Sequence, residues 1–149
     1  MTAIAPPREP VVVQVARGLL GFVAVGHVVV PLVMWAREAV LRNEIAVAHP
    51  EFGVGEVARS ADVAVGAAVG FHVVLLVLCL VPVWKLGGGK PWVRRLVTVS
   101  KLLGLVFSMV SWSASGMFHA VIPVVGVLQV ASVVLLWVPA GRKFFAGCR

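Results

Sequence analysis

Four long apolar segments, separated by shorter polar ones, set the pattern of hydrophobic and polar positions along the chain. A helix needs roughly 20 residues to cross a hydrocarbon core about 30 Å thick, where its backbone polar groups are satisfied within the segment itself. The segments that meet this length are residues 18–36, 63–84, 96–115 and 120–138. Only the third contains a charged residue, Lys101, near one end. The pattern therefore predicts four transmembrane helices.

The polar segment at residues 37–62 is predicted to form a helical hairpin outside the membrane. Its first half, AREAVLRNEIAVA, contains good helix formers and places Glu38 four residues before Arg42. The His49-Pro50 pair ends that helix, and EFGVG predicts a turn before a second helix. The predicted fold class is thus an all-α, up-down antiparallel four-helix bundle, a single domain over residues 1–149 with this hairpin as an extracytoplasmic cap.

Composition supports a membrane protein and excludes a nucleic-acid partner. The 149 residues are 60% hydrophobic and only 13% charged, whereas soluble domains contain about 25% charged residues. The net charge of +7 would suggest nucleic acid only if it were gathered on one solvent-facing surface. Here the cations are divided among the short segments between apolar runs.

The division of the cations predicts the orientation, because loops rich in Lys and Arg stay cytoplasmic. Ten of the thirteen cations lie in the N-terminal segment, the WKLGGGKPWVRR connector with adjoining Lys101, and the tail. The 37–62 segment instead contains five acids. Tryptophan favours the headgroup layer, and Trp35 and Trp112 fall at the outer ends of their spans. Both termini are therefore predicted to be cytoplasmic.

Polar residues within the spans are predicted to form a cluster near mid-depth. His27 lies ten residues from Arg17, and His72 lies ten from Asp62, on helices of opposite direction. The candidate cluster consists of His27, His72, Ser108 and Gln129. It is either a structural core of interhelical hydrogen bonds or a functional site, since intramembrane ionisable residues mark pathways and cofactors. The functional versions are haem b held by the two histidines and a proton or solute pathway.

Small residues and cations mark two further surfaces. The predicted helix-packing residues are Gly66 and Gly70 in a GxxxG motif and Gly104, Ser111 and Ser115, which with Ser108 share one face of the third span. The GxxxG motif is expected to pack within the fold or, alternatively, against a second copy. The predicted lipid-headgroup residues are Lys85, Lys90, Arg94, Arg95 and Lys101, the last by snorkelling.

No sequence motif supports catalysis. There is no G-x-S-x-G, no H-E-x-x-H and no phosphate-loop spacing in GGGKPWVRR. The acids and histidines outside the spans match no metal-ligand spacing. The leading hypothesis is therefore a non-enzymatic helper or binding subunit, within a homo-oligomer or a larger membrane complex, in contact with anionic lipids.

The stretches GGGKPWVRRLVTV and LLWVPAGRKFF resemble segments of small four-span integral membrane proteins of high-GC Gram-positive bacteria. The opening ARGLLGFVAVG is similar to the first span of DoxX-like four-helix membrane proteins. The first resemblance covers the C-terminal half and implies a bacterial cytoplasmic membrane. Neither resemblance transfers a functional residue.

Overall fold

A computed structural model of the chain describes residues 9–114 and 116–147, and every regular element within them is helical. The helices are α1 (Val11–Ala36), α2 (Glu38–Ala48), α3 (Val54–Lys85), α4 (Pro91–Ala114), α5 (Val121–Trp137) and α6 (Pro139–Ala146). Short 3-10 turns at Leu86–Gly88 and Gly116–Phe118 precede α4 and α5. The predicted all-α fold class is confirmed.

Three of the described helices, α1, α3 and α4, are each long and apolar enough to cross a membrane. Helices α5 and α6 meet that test only together, and they are bent by 59° at the break between them. The number of candidate spans is therefore three, or four if the bent pair is one span. Helices α1, α3 and α4 begin before the predicted spans, because a helix continues through polar residues such as Arg17 and Asp62 that an apolar segment excludes.

The chain divides into two compact units. The large unit comprises Met1–Val23 and Leu78–Arg149, and the small unit is Ala24–Val77. Each of the long helices α1 and α3 contributes one part to each unit.

Helices α1, α4, α5 and α6 build the core of the large unit. The buried cluster consists of Val13, Ala16, Leu20, Leu86, Val93, Val97, Leu136, Phe144 and Phe145. Helix α4 packs along α5, and α6 packs against both. In α6 the consecutive rings of Phe144 and Phe145 point into this core while Arg142 and Lys143 remain exposed. The predicted up-down order of neighbouring helices fits the α4–α5 hairpin.

Two glycines shape the connections of the large unit. Gly89 adopts φ 62°, a left-handed conformation that favours glycine, and it ends the 3-10 turn before α4. Gly141 lies against the end of α5, where an added Cβ would come within 2.8 Å of the carbonyl oxygens of Leu135 and Leu136. Glycine at 141 therefore permits the sharp turn from α5 into α6.

The small unit contains the helical hairpin that the sequence predicts. Helix α2 ends before His49, and α3 begins at Val54, where the Glu56 carboxylate accepts a 2.9 Å hydrogen bond from the Gly53 N–H. A side chain that reaches back to the first free N–H stabilises a helix start. Arg42 contacts Glu38 on its own helix and Asp62 on α3 at 3.8 Å.

The turn of the hairpin is ordered by its own side chains. The ring of His49 stacks on Phe52 with centroids 4.6 Å apart, and its Nδ1–H donates to Glu51 at 3.2 Å. Hydrogen bonds from the backbone and from His49 hold the pKa of the Glu51 carboxyl below its usual range.

Substitution of Gly141 by alanine is expected to destabilise the large unit. The new Cβ would overlap two backbone carbonyls that cannot rotate away, and overpacking of this kind costs about 1–3 kcal/mol. Thermal unfolding in detergent measures the effect as a lower midpoint. Gly126→Ala is the matched control, because its Cβ would meet only the Leu105 side chain at 3.7 Å. Equal midpoints for the two variants would contradict this account of the turn.

Candidate functional site

The structure brings His27 of α1 and His72 of α3 into direct contact within the small unit. Their Nδ1 atoms are 3.0 Å apart, and the ring centroids are 5.2 Å apart at an interplanar angle of 46°. A hydrogen bond between two Nδ1 atoms requires one ring to donate and the other to accept. The accepting ring is therefore neutral, and the pair shares one proton.

Phe71 and Pro31 lie next to this pair in sequence or in space. The ring of Phe71 packs edge-on against His72, with centroids 5.8 Å apart. Pro31 lies within α1, four residues after His27, and has no N–H to donate to the His27 carbonyl. The helical hydrogen-bond ladder of α1 is thus interrupted at the residue that contributes the imidazole.

An apolar groove of about 350 Å³ opens beside the pair. Its lining residues are His27, Val28, Pro31, Leu32 and Trp35 on α1 and Val65, Val69, Val73 and Leu76 on α3. The α1 positions recur at helical spacing, so they form one face of the helix over about 12 Å. His27 is only 8% exposed, and it places a single imidazole at one end of an otherwise apolar surface.

The geometry of the pair does not fit haem held between the two histidines. Such ligation places one imidazole on each face of the porphyrin, with the whole macrocycle between them. At 3.0 Å the two Nδ1 atoms bond to each other and leave no space for that plane. The shape of the site instead suits a ligand that lies in the groove beside the rings.

The other two members of the predicted cluster lie in the large unit. Ser108 donates a 2.8 Å hydrogen bond to the Gly104 carbonyl within its own helix. Gln129 is 2% exposed, and a Cβ at Gly104 would lie 2.7 Å from its Oε1. Gly104 therefore makes room for Gln129, as expected of a small residue on the packing face of α4. Ser111 is half-buried, and Ser115 lies outside the described residues.

The GxxxG motif is not packed within the chain. A Cβ built at Gly66 or Gly70 meets no atom within 4 Å, and both glycines are exposed. The expected contact within the fold is therefore wrong for these two positions. The sequence shows that the two glycines share one face of α3, but it does not show whether that face points towards the rest of the chain. Contact with a second copy stays a prediction.

The expectation that Lys101 snorkels to lipid headgroups is also wrong. The residue is 2% exposed, and its Nζ donates to the Sγ of Cys79 at 2.8 Å. Cys79 is itself fully buried in α3. A buried ammonium is costly unless it is paired, and the neighbouring thiol provides that partner. Sequence analysis missed Cys79, although it lies six residues from Lys85 while Lys101 lies six from Arg95 on a helix of opposite direction.

The remaining predicted headgroup residues differ in their surroundings. Lys85, Lys90 and Arg95 are exposed, whereas Arg94 is half-buried against the ring of Trp137. Within the described residues no group of three His, Cys, Asp or Glu side chains is placed to hold a metal ion. Comparison with family models, curated proteins and solved structures finds no match to this chain.

A double-mutant cycle tests the Lys101–Cys79 contact. Cys79→Val leaves the buried ammonium without its acceptor, a loss expected to lower the free energy of unfolding by about 1–3 kcal/mol. Lys101→Met removes the charge as well, so the double variant is expected to be more stable than the sum of the two single effects predicts. Unfolding in mixed micelles measures each variant. Cys79→Ser keeps an acceptor and is the conservative control, and strictly additive effects would rule out the contact.

Proposed function

We propose that the chain is a four-span integral protein of a bacterial cytoplasmic membrane, with both termini cytoplasmic. Three apolar helices and the bent α5–α6 pair support four crossings. The concentration of ten of the thirteen cations in the two ends and the connector before α4 supports the orientation. Arg17 forms an ion pair with Glu9 at 3.1 Å. This pairing does not weaken the prediction of orientation, because orientation depends on Lys and Arg and acids contribute little to it.

We further propose that the protein is a non-enzymatic binding subunit whose ligand is a lipophilic molecule with one hydrogen-bonding group. The observation that carries this is the histidine pair, of which His27 is buried and His72 half-buried, at the end of an apolar groove. Binding sites for small molecules are mostly apolar, with a few polar groups that fix the orientation of the ligand. A quinone carbonyl or a lipid hydroxyl has the chemistry that an imidazole recognises.

The groove also provides an entry route for such a ligand. Its lining contains valine, leucine and proline, with Trp35 at the end opposite His27. Trp35 is 69% exposed, and tryptophan favours the membrane interface. A ligand dissolved in the bilayer would enter sideways, place its apolar part along α1 and α3, and present its polar group to His27.

The shared proton of the pair favours a second candidate, a proton relay through His27 and His72. In liposomes with an imposed potential, a relay predicts proton flux that is lost in both His27→Gln and His72→Gln while the protein remains inserted. A pH-sensitive dye inside the liposomes measures this flux. Flux no greater than that of empty liposomes would eliminate the relay.

Quinone binding can be measured through Trp35, using menadione as the probe and the protein in nanodiscs. Menadione in the groove is expected to quench tryptophan emission saturably, and Trp35→Phe should remove most of that quenching. Because a hydrogen bond is worth about 0.5–1.5 kcal/mol net, His27→Leu should weaken binding roughly 2–10-fold. His27→Gln, which retains a donor, should weaken it less.

A steric pair of variants controls for nonspecific partition into lipid. Val69→Phe fills the groove, whereas Val77→Phe makes the same change on α3 at an exposed position outside the lining. Binding should be lost in the first and kept in the second. Quenching that is linear in menadione and equal in all variants would overturn the proposed binding function.

A further inference from the structure

A second cleft, of about 410 Å³, lies in the large unit beside α6. Its lining residues are Arg94, Pro139, Arg142, Lys143 and Ala146, so three of the five are cationic. Within the described residues, no carboxylate lies within 4.0 Å of these three cations. Arg142 and Arg95 lie close enough to Arg94 to repel it electrostatically. The cleft therefore concentrates positive charge without an acid to balance it.

The position of Arg94 is fixed by aromatic and hydrogen-bond contacts. Its guanidinium carbon lies 4.2 Å from the Trp137 ring centroid and 5.6 Å from that of Phe145. The Trp137 Nε1–H donates to the Thr98 hydroxyl at 2.9 Å, and that hydroxyl donates to the Arg94 carbonyl at 3.0 Å. The indole is thus held in place by the same turn of α4 that contributes the arginine.

One guanidinium atom of Arg94 has no protein partner. Its Nε is buried and makes no hydrogen bond within the described part of the chain. A stacked guanidinium keeps its planar edge available for a ligand, and that edge matches two oxygens of a phosphate or carboxylate. The two ring contacts engage the face of the guanidinium, so its terminal N–H groups, and not the buried Nε, are the donors for an anion.

Packing of α6 places the other two cations beside the cleft. Phe144 and Phe145 are 7% and 1% exposed and anchor α6 in the core. Gly141 allows the helix to approach the end of α5 closely. Arg142 and Lys143 project from this anchored helix into the cleft beside Arg94. The folded chain therefore holds Arg94 and Arg142 close together despite their electrostatic repulsion. A bound anion would reduce that repulsion.

We propose that Arg94, Arg142 and Lys143 form a binding site for a phosphate group. The two guanidinium groups offer paired N–H donors, and the lysine adds a point charge. The phosphate belongs either to a lipid headgroup or to a free phosphate anion. Only Arg94 belongs to the set of headgroup residues that the sequence predicts. The site lies outside the histidine groove, so the two proposals stand or fall separately.

Native mass spectrometry of the purified chain in neutral detergent tests this site, with dioleoyl phosphatidic acid as the probe and dioleoyl phosphatidylcholine as the zwitterionic reference. Phosphatidic acid is expected to be retained more strongly. The double variant Arg142→Gln/Lys143→Gln should lower its apparent affinity about tenfold or more, because two charge-assisted hydrogen bonds are lost. Arg37→Gln/Arg59→Gln removes the same charge at two exposed positions outside the cleft and should lower affinity less than about threefold.

Two additional experiments identify the source of the phosphate and test the role of Arg94. Displacement of the lipid by pyrophosphate would assign the site to a free phosphate anion, and retention of the lipid would assign it to a headgroup. Arg94→Lys keeps the charge but loses the planar edge, and it should also weaken retention. An equal decrease in the two double variants indicates diffuse attraction and overturns the proposal, as does equal retention of the two lipids.

Discussion

A polar side chain on an apolar helix needs a hydrogen-bond partner within the protein, because the hydrocarbon surroundings offer none. Ser108 uses a carbonyl of its own helix, whereas longer side chains reach a neighbouring helix. This constraint determines which residues meet in each unit. The imidazole of His27 bonds to that of His72, and the ammonium of Lys101 bonds to Cys79. The first pair joins α1 to α3, and the second joins α4 to α3.

The position of a residue along its helix is the property that the sequence predicts best. The candidate spans follow from the lengths of the apolar segments, and the approach of His27 to His72 follows from counting residues along helices of opposite direction. The direction in which a side chain points around its helix is harder to predict. Hydropathy shows that Lys101 lies near a span end, but not that it turns inward to Cys79. The same uncertainty explains Gly66 and Gly70, whose face meets open space.

The cleft beside α6 shows a second feature that is hard to predict from sequence, the meeting of residues from distant segments. In the sequence, Arg94 and the pair Arg142–Lys143 are separated by almost fifty residues and belong to two different interfacial segments. Only the 59° bend after α5 and the burial of Phe144 and Phe145 bring them to one surface. That bend in turn requires a glycine at position 141. The close backbone approach at the α5–α6 turn therefore helps to bring three cations to one cleft of the large unit.

The two proposed sites make opposite demands on a ligand. In the groove, the His27–His72 hydrogen bond already satisfies part of the polar capacity of the site. A ligand gains there mainly by burying apolar surface, and its polar group adds orientation more than affinity. In the cleft, three cations lack a carboxylate partner within the described residues, so an anion gains by neutralising charge. Selectivity in the groove thus depends on shape, whereas selectivity in the cleft depends on charge and salt concentration.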